Sequence, residues 1–369
     1  MESLGTANYP LNGTLTSGFS GQTYKGPLNT SLRWETTDQF NVGLDFGFWK
    51  NRLNFSANYY YKKTKDLLQN VSIPLSTGYS TMWTNFGHVT NKGFEFTANV
   101  VAIDKKDWGL NFDGNISFNQ NRIGGLNADQ YATQLWYGAN EVFLQRNGLP
   151  IGTIYGYVED GFYDNIAEVR ADPIYSKVSN EEAQRMIGEI KYVDRNGDNQ
   201  ITTEDRAVIG DTNPDFIYGL NANFRWKKLS LGLFFQGSQG NDIFNGNLTM
   251  IGMNSIGNVT REAYESRWTP ENAANAKWPR ITTAMTRDMK LSDRYVEDGS
   301  YFRLKTINLN YNFGSVCKGI TDLSVFGTIT NVFTLTNYSW FDPDVNAFGS
   351  DASRRGVDIF SYPNSRTYT

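Results

Sequence analysis

Apolar and polar residues alternate along much of this chain in paired runs of about ten, the period-2 pattern of strands with two unlike faces. In QFNVGLDFGF, Phe40, Val42, Leu44, Phe46 and Phe48 share one face, and Asn41, Gly43, Asp45 and Gly47 share the other. The short turn WKNR follows. LNFSANYYYKK then sets Leu53, Phe55, Ala57, Tyr59 and Tyr61 against Asn54, Ser56 and Asn58, which makes an antiparallel hairpin. The pattern recurs in GFEFTANVVAI and GLNFDGNISFN across DKKDW, in DFIYGLNANFRW and LSLGLFFQGS across KK, and in YFRLKTINLNYNF and LSVFGTITNVF across GSVCKGITD. Alternation therefore predicts an all-β chain of about eight strands in four hairpins.

The connections between hairpins are far longer than those within them. They run from Thr64 to Lys92, from Gln120 to Pro214 and from Gln239 to Ser300. Brief turns at one end and long loops at the other are the asymmetry of an outer-membrane barrel, with short periplasmic turns and long extracellular loops. Trp49, Trp108 and Trp226 all fall beside the short turns, where an interfacial girdle would sit. The loop expected over 120–214 also holds one helical stretch, NEEAQRMIGEIKYVD, with Asn180 as its cap and Glu181 and Glu182 in its first turn.

Composition sharpens this picture. Aromatics make up 15% of the 369 residues, beside 35 glycines and a mean hydropathy of -0.49. A transmembrane barrel combines these properties, because aromatic girdles face lipid while the inner face stays polar. A β-sandwich would have to bury Asp45, Asp113 and a row of asparagines at heavy cost. No apolar run approaches the ~20 residues of a spanning helix, so any crossing must use strands. A net charge of -4 with scattered basic residues points away from nucleic acid, and a single cysteine, Cys317, excludes an internal disulfide. Eight strands close only a barrel filled by side chains, so an arc of a larger barrel is the expectation.

At this point several blocks resemble the SusC/RagA-type TonB-dependent outer-membrane transporters. They are LRWETTDQFNVGLDFGFWKNRLNFSANYYYKKTKDLL, VTNKGFEF, GLPIGTIYGYVEDGFY, YVDRNGDNQITTEDRAVIGDTNPDFIYGL, SRWTPEN with YVEDGSYFRLKTINLNYNF, and YPNSRTY, in the family's order from Leu32 to Tyr368. The resemblance implies that residues 1–369 are the C-terminal portion of a plugged barrel of roughly 22 strands. The signal peptide, plug and TonB box would lie outside it. It further implies a SusD-like surface lipoprotein as partner, energy from the TonB complex through the N-terminal part, and oligosaccharides or peptides as cargo. The setting would be outer-membrane lipid of a Bacteroidetes-type Gram-negative bacterium.

Two groups of residues are candidates for binding. In DRNGDNQITTED, Asp194, Asn196 and Asp198 occupy positions 1, 3 and 5 of a calcium loop, Gln200 offers a carbonyl at 7, and Asp205 stands at 12. Position 6 is Asn199 rather than glycine, and position 12 is Asp rather than the longer Glu, so the alternative is an Asx-rich turn that binds nothing. The loop aromatics Tyr79, Trp83, Trp136, Tyr137, Trp340 and Phe341 are candidates to stack on a ligand or meet the lipoprotein, or else to pack loop on loop. No catalytic set is visible. His88 has no Cys or His partners, pairs such as Glu181/Glu182 and Asp342/Asp344 define no pocket, and no phosphate-binding fingerprint is present, so no enzyme is expected. Two other architectures remain open on these grounds: a complete small porin or adhesin barrel, and a secreted calcium-dependent carbohydrate-binding sandwich.

Overall fold

The computed structural model describes residues 3–11, 14–23, 27, 29–77, 79, 81–132, 141–251, 258–282, 290–349 and 351–369. Its frame is one antiparallel sheet of nine strands: β1 (Thr36–Phe48), β2 (Leu53–Lys65), β3 (His88–Asp104), β4 (Trp108–Gly124), β5 (Phe216–Trp226), β6 (Leu229–Gln239), β7 (Tyr301–Gly314), β8 (Leu323–Thr336) and the two-residue β9 (Thr367–Tyr368). Each strand pairs with the next in the chain. Short connections (49–52, 105–107, 227–228 and 315–322) therefore fall at one end, and long ones (66–87, 125–215, 240–300 and 337–366) at the other. At the tightest turn Lys227 takes φ 52, the left-handed geometry that a two-residue hairpin needs at its first position.

The register holds the two faces apart across the whole sheet. One row runs Phe46, Phe55, Ala98, Gly114, Leu220, Phe235, Leu304 and Phe333, one residue from each of the eight long strands. The next row, on the opposite face, runs Asp45, Ser56, Thr97, Asn115, Gly219, Gln236, Arg303 and Thr334. A one-residue slip at any strand would mix these faces, so the alternation read from the sequence also specifies the register. The apolar face is open to its surroundings, with Phe40 at 60% and Leu44 at 57% exposure. Among the described residues β1 has no partner on its far side, so the sheet is an open arc. An open meander with an exposed apolar face is neither a closed small barrel nor a sandwich, and both of those alternatives are set aside.

Strands β3 and β4 reach further than the alternation suggests. Pairing continues from Phe94–Phe118 up to His88–Gly124, so the connection expected from Gln120 runs over 125–215. Polar outward residues such as Thr90, Lys92, Gln120 and Arg122 hide this extension, because the backbone ladder persists where the apolar signal stops. The expected helix exists as Asn180–Met186, but Ser179 caps it, accepting from the Glu182 N–H at 3.1 Å. It is also not alone. Ile166–Ala171, Asn247–Ile251 and Arg261–Glu265 are helical too, and each is too short to show a helical period.

The hydrophobic core lies in the long connections, not in the sheet. Val142, Phe143, Ile154, Phe244, Tyr295 and Val357 form its main cluster, drawn from three different connections. A second cluster of Val89, Ile123 and Leu126 roots this crown on the ends of β3 and β4. A third, of Tyr163, Val169 and Ala183, packs the two helices of the 125–215 connection. Loops this long become ordered because they bury apolar surface among themselves.

Candidate functional site

The polar face of the sheet is a wall of amides and hydroxyls. Ser56 donates to Asp45, and Asn99 Nδ2 to Asp113 Oδ1 at 2.8 Å, so these two carboxylates each have a local donor. Asn308 Nδ2 donates to Thr328 Oγ1 at 3.1 Å, and the Tyr60 hydroxyl to Asn119 Oδ1 at 2.8 Å. Tyr60 lies flat across Gly93, where a Cβ would stand 2.6 Å from its hydroxyl and 2.1 Å from the Phe118 carbonyl oxygen. Only glycine leaves that ring its place. Amides and hydroxyls both donate and accept, so this wall suits hydroxyl- or amide-rich surfaces rather than ions of one sign.

At the long-loop end, ion pairs clamp the crown to the wall. Arg303 on β7 is 1% exposed and donates from Nε to Thr334 Oγ1 at 2.9 Å and from Nη2 to Asp342. Asn364 Nδ2 donates to the other Asp342 oxygen at 2.6 Å, which ties β7, β8 and the 337–366 connection together. Asp344 stands 3.7 Å from Nη1, an attraction too long for a hydrogen bond. Arg294 likewise grips both oxygens of Glu159 while its guanidinium lies 5.2 Å from the Trp278 ring centre. Burial, followed by the charge of Glu159, pushes the neighbouring Asp293 carboxyl up from its usual range, against its bond from the Glu159 N–H. Sequence reading missed these arginines. The DPD stretch at Asp342–Asp344 was a visible hint, but no pattern says which cation lies opposite.

The calcium-like loop has the expected backbone course. Asn199, in the sharp-turn position, takes φ 61. Asp194 accepts from Gly197 N at 2.7 Å and Asn199 N at 2.8 Å, and Asp198 accepts from Gln200 N at 2.8 Å. Asn196 stays within the loop, donating to Asp198 at 3.2 Å and Glu204 at 3.3 Å. Asp205 is buried and turned inward. Its oxygens accept from Arg195 N at 2.9 Å and Thr202 N at 2.7 Å, closing a capping box over Thr203–Asp205. Burial opposes its charge, but the amide bonds prevail and hold the carboxyl below its usual range. Among the described residues no three His, Cys, Asp or Glu side chains converge as a cation site. Asp205, at the twelfth position, is thus engaged by the backbone amides of its own loop.

The loop aromatics are dispersed. Trp83 is 54% exposed on the strand Thr81–Asn85, and its carbonyl accepts from Asn29 Nδ2 at 3.2 Å. Tyr79 is half-buried at the preceding bend, with its N–H on Thr77 Oγ1 at 3.4 Å. Trp340 and Phe341 meet edge to face at 5.2 Å, Phe341 being 68% exposed. Trp136 and Tyr137 lie outside the described residues.

A family model for the β-barrel of TonB-dependent receptor-like proteins matches residues 3–332. The chain belongs to that family. TonB-dependent receptor P26 of Formosa agariphila is 33% identical over 98% of this chain and 36% of its own length. TonB-dependent receptor SusC of Bacteroides thetaiotaomicron is 27% identical over 98% of this chain and 34% of its own. The RagAB peptide transporter structure superposes with a TM-score of 0.74 at 22% identity, covering the whole of this chain and 38% of that one. The chain thus spans about a third of the length of these relatives. TonB-dependent barrels are outer-membrane transporters rather than enzymes, so the apolar face meets lipid and the amide wall faces the lumen.

Proposed function

We propose that this chain forms an arc of the wall and outer mouth of an outer-membrane importer for oligosaccharides or peptides. It would work with a SusD-like surface lipoprotein and draw on the TonB complex through other parts of the full-length protein. The observation that carries this reading is the two-faced arc with an ordered crown at one end only, in a chain matching SusC and superposing on the RagAB transporter. The neutral lumen wall supports cargo rich in hydroxyls or amides. Of the described candidate aromatics, Trp83 and Phe341 are the exposed ones, free to stack on cargo or meet a lid.

The test is deletion of the full-length gene, followed by growth on single glycans and on peptide digests as sole nutrients. Loss of growth on one nutrient class, restored by the gene and abolished again without TonB, is the expected result. A tagged full-length protein should co-purify a surface lipoprotein. Unchanged growth on every nutrient, with no lipoprotein recovered, would overturn the reading.

A further inference from the structure

Above the apolar belt, the outward face of β2–β4 carries cations that the import reading leaves without a role. Lys63 faces Thr90, and Thr90 faces Arg122, so the two cations flank Thr90 on one row. Lys92, two residues along β3 from Thr90, points the same way and faces Tyr61. Diagonal neighbours on one sheet face stand about 7–8 Å apart, close enough for three flexible cationic side chains to close on one phosphate.

The carboxylates nearby offset them only in part. Asp38 faces Lys63 but is held by Lys65. Asp211 and Asp215 line the same groove, and Asp211 is taken up by the Asn213 N–H and side-chain amide. Lys63, Lys92 and Arg122 enter no ion pair among the described residues, and the Arg122 Nη1 donates only to the Asn121 carbonyl at 3.3 Å. His88, facing Lys65, and Tyr61, facing Lys92, are further titratable groups on this face.

Lys63 stands on β2 beside Thr90, and Lys92 and Arg122 line an open groove of about 500 Å3 whose floor includes Tyr59, Phe94 and Phe118. These three belong to the apolar face that meets lipid. Along the ladder, Gly237, Phe302 and Leu335 share the row of Ile116, Phe96 and Leu44, in the middle of the apolar belt and below the cations. The cationic cluster stands on β2–β4, at the long-loop end that faces the outer leaflet.

We propose that Lys63, Lys92 and Arg122 form a binding site for a phosphate-bearing headgroup of an outer-leaflet lipid, whose acyl chains lie against Tyr59, Phe94 and Phe118. Continuity of the groove floor with the apolar belt selects a membrane lipid over a soluble anion. Each cation at a membrane surface contributes enough that losing three weakens binding by about a hundredfold.

The test uses the full-length protein, extracted with its lipid and examined by native mass spectrometry and lipid-phosphorus analysis. A Lys63→Gln/Lys92→Gln/Arg122→Gln variant is compared with Lys50→Gln/Lys105→Gln/Lys227→Gln, which removes the same charge at the short-turn end. The site predicts a retained phosphorylated lipid that high salt releases, that the first variant loses and the second keeps. Heat-modified gel mobility of each variant reports that it has folded. Equal retention in both folded variants would overturn the site, and so would equal rebinding of dephosphorylated outer-membrane lipid. Binding of inorganic phosphate alone as strongly as the lipid would reduce it to a plain anion site and overturn the lipid assignment. Should the triple variant not fold, Lys92→Gln alone must lower retention, and unchanged retention would refute the proposal.

Discussion

Arg303 and Asp342 form a buried ion pair where β7 meets the connection after β8, with Asn364 and Thr334 completing the set. The pair joins the lumen wall to the crown, so its loss should loosen both. Removing one partner of a buried pair strands the other charge, at a cost of about 3–5 kcal/mol. Asp342→Ala should therefore lower the thermal midpoint of the detergent-solubilised full-length protein markedly. A change of less than about 0.5 kcal/mol, typical of a surface substitution, would show that water reaches the pair.

The apolar belt sets a second expectation. Leu44 sits midway along the outward row of β1, between Phe40 and Phe48. Leu44→Arg places a charge near the bilayer midplane and should cost about 2–4 kcal/mol. Asn41→Ser, on the lumen face of the same strand, should cost little. Equal costs by denaturant titration in lipid vesicles would contradict the assignment of faces.

Topology can be read from the chain's one cysteine. Cys317 is exposed in the 315–322 connection, at the short-turn end. With other cysteines of the full-length protein replaced, an impermeant maleimide should leave Cys317 unlabelled in intact cells and label it after the outer membrane is opened. A Cys317→Ser/Ser176→Cys variant should behave in the opposite way, because Ser176 lies in the crown. Labelling of Cys317 in intact cells would invert the orientation.

Asp205 makes a prediction about pH and calcium. Its carboxyl is held below the usual range by backbone amides, so its folded-state proton affinity lies below that of the unfolded chain. The stability it contributes is present above the ordinary Asp value of about 3.9 and is lost as pH falls through the lowered one. Hydrogen exchange at the Arg195, Asn196 and Thr202 amides should accelerate in that acid window and not between pH 5 and 8. Asp205→Ala should remove the protection at neutral pH. Millimolar calcium should leave the thermal midpoint unchanged, whereas a calcium-dependent rise would show that these donors regroup around a cation.

The sequence by itself determined the strands, their faces and their order. Period-2 alternation is local, since each side chain's face follows from its place in the pleat, and short turns force neighbours to pair. Rows such as Phe46–Phe55 and Asp45–Ser56 therefore follow from residues only nine to eleven positions apart. The calcium-like pattern was equally local and equally visible. Only the tertiary structure decided that Asp205 turns inward to cap its own loop. Tertiary structure also decided which residues of separate connections meet. Val142, Phe244 and Val357 share a core, Arg303 reaches Asp342, and Lys63 stands beside Thr90 and Arg122. These meetings join residues tens to hundreds of positions apart, across connections that carry no repeating pattern. Nothing short of the folded chain brings them together.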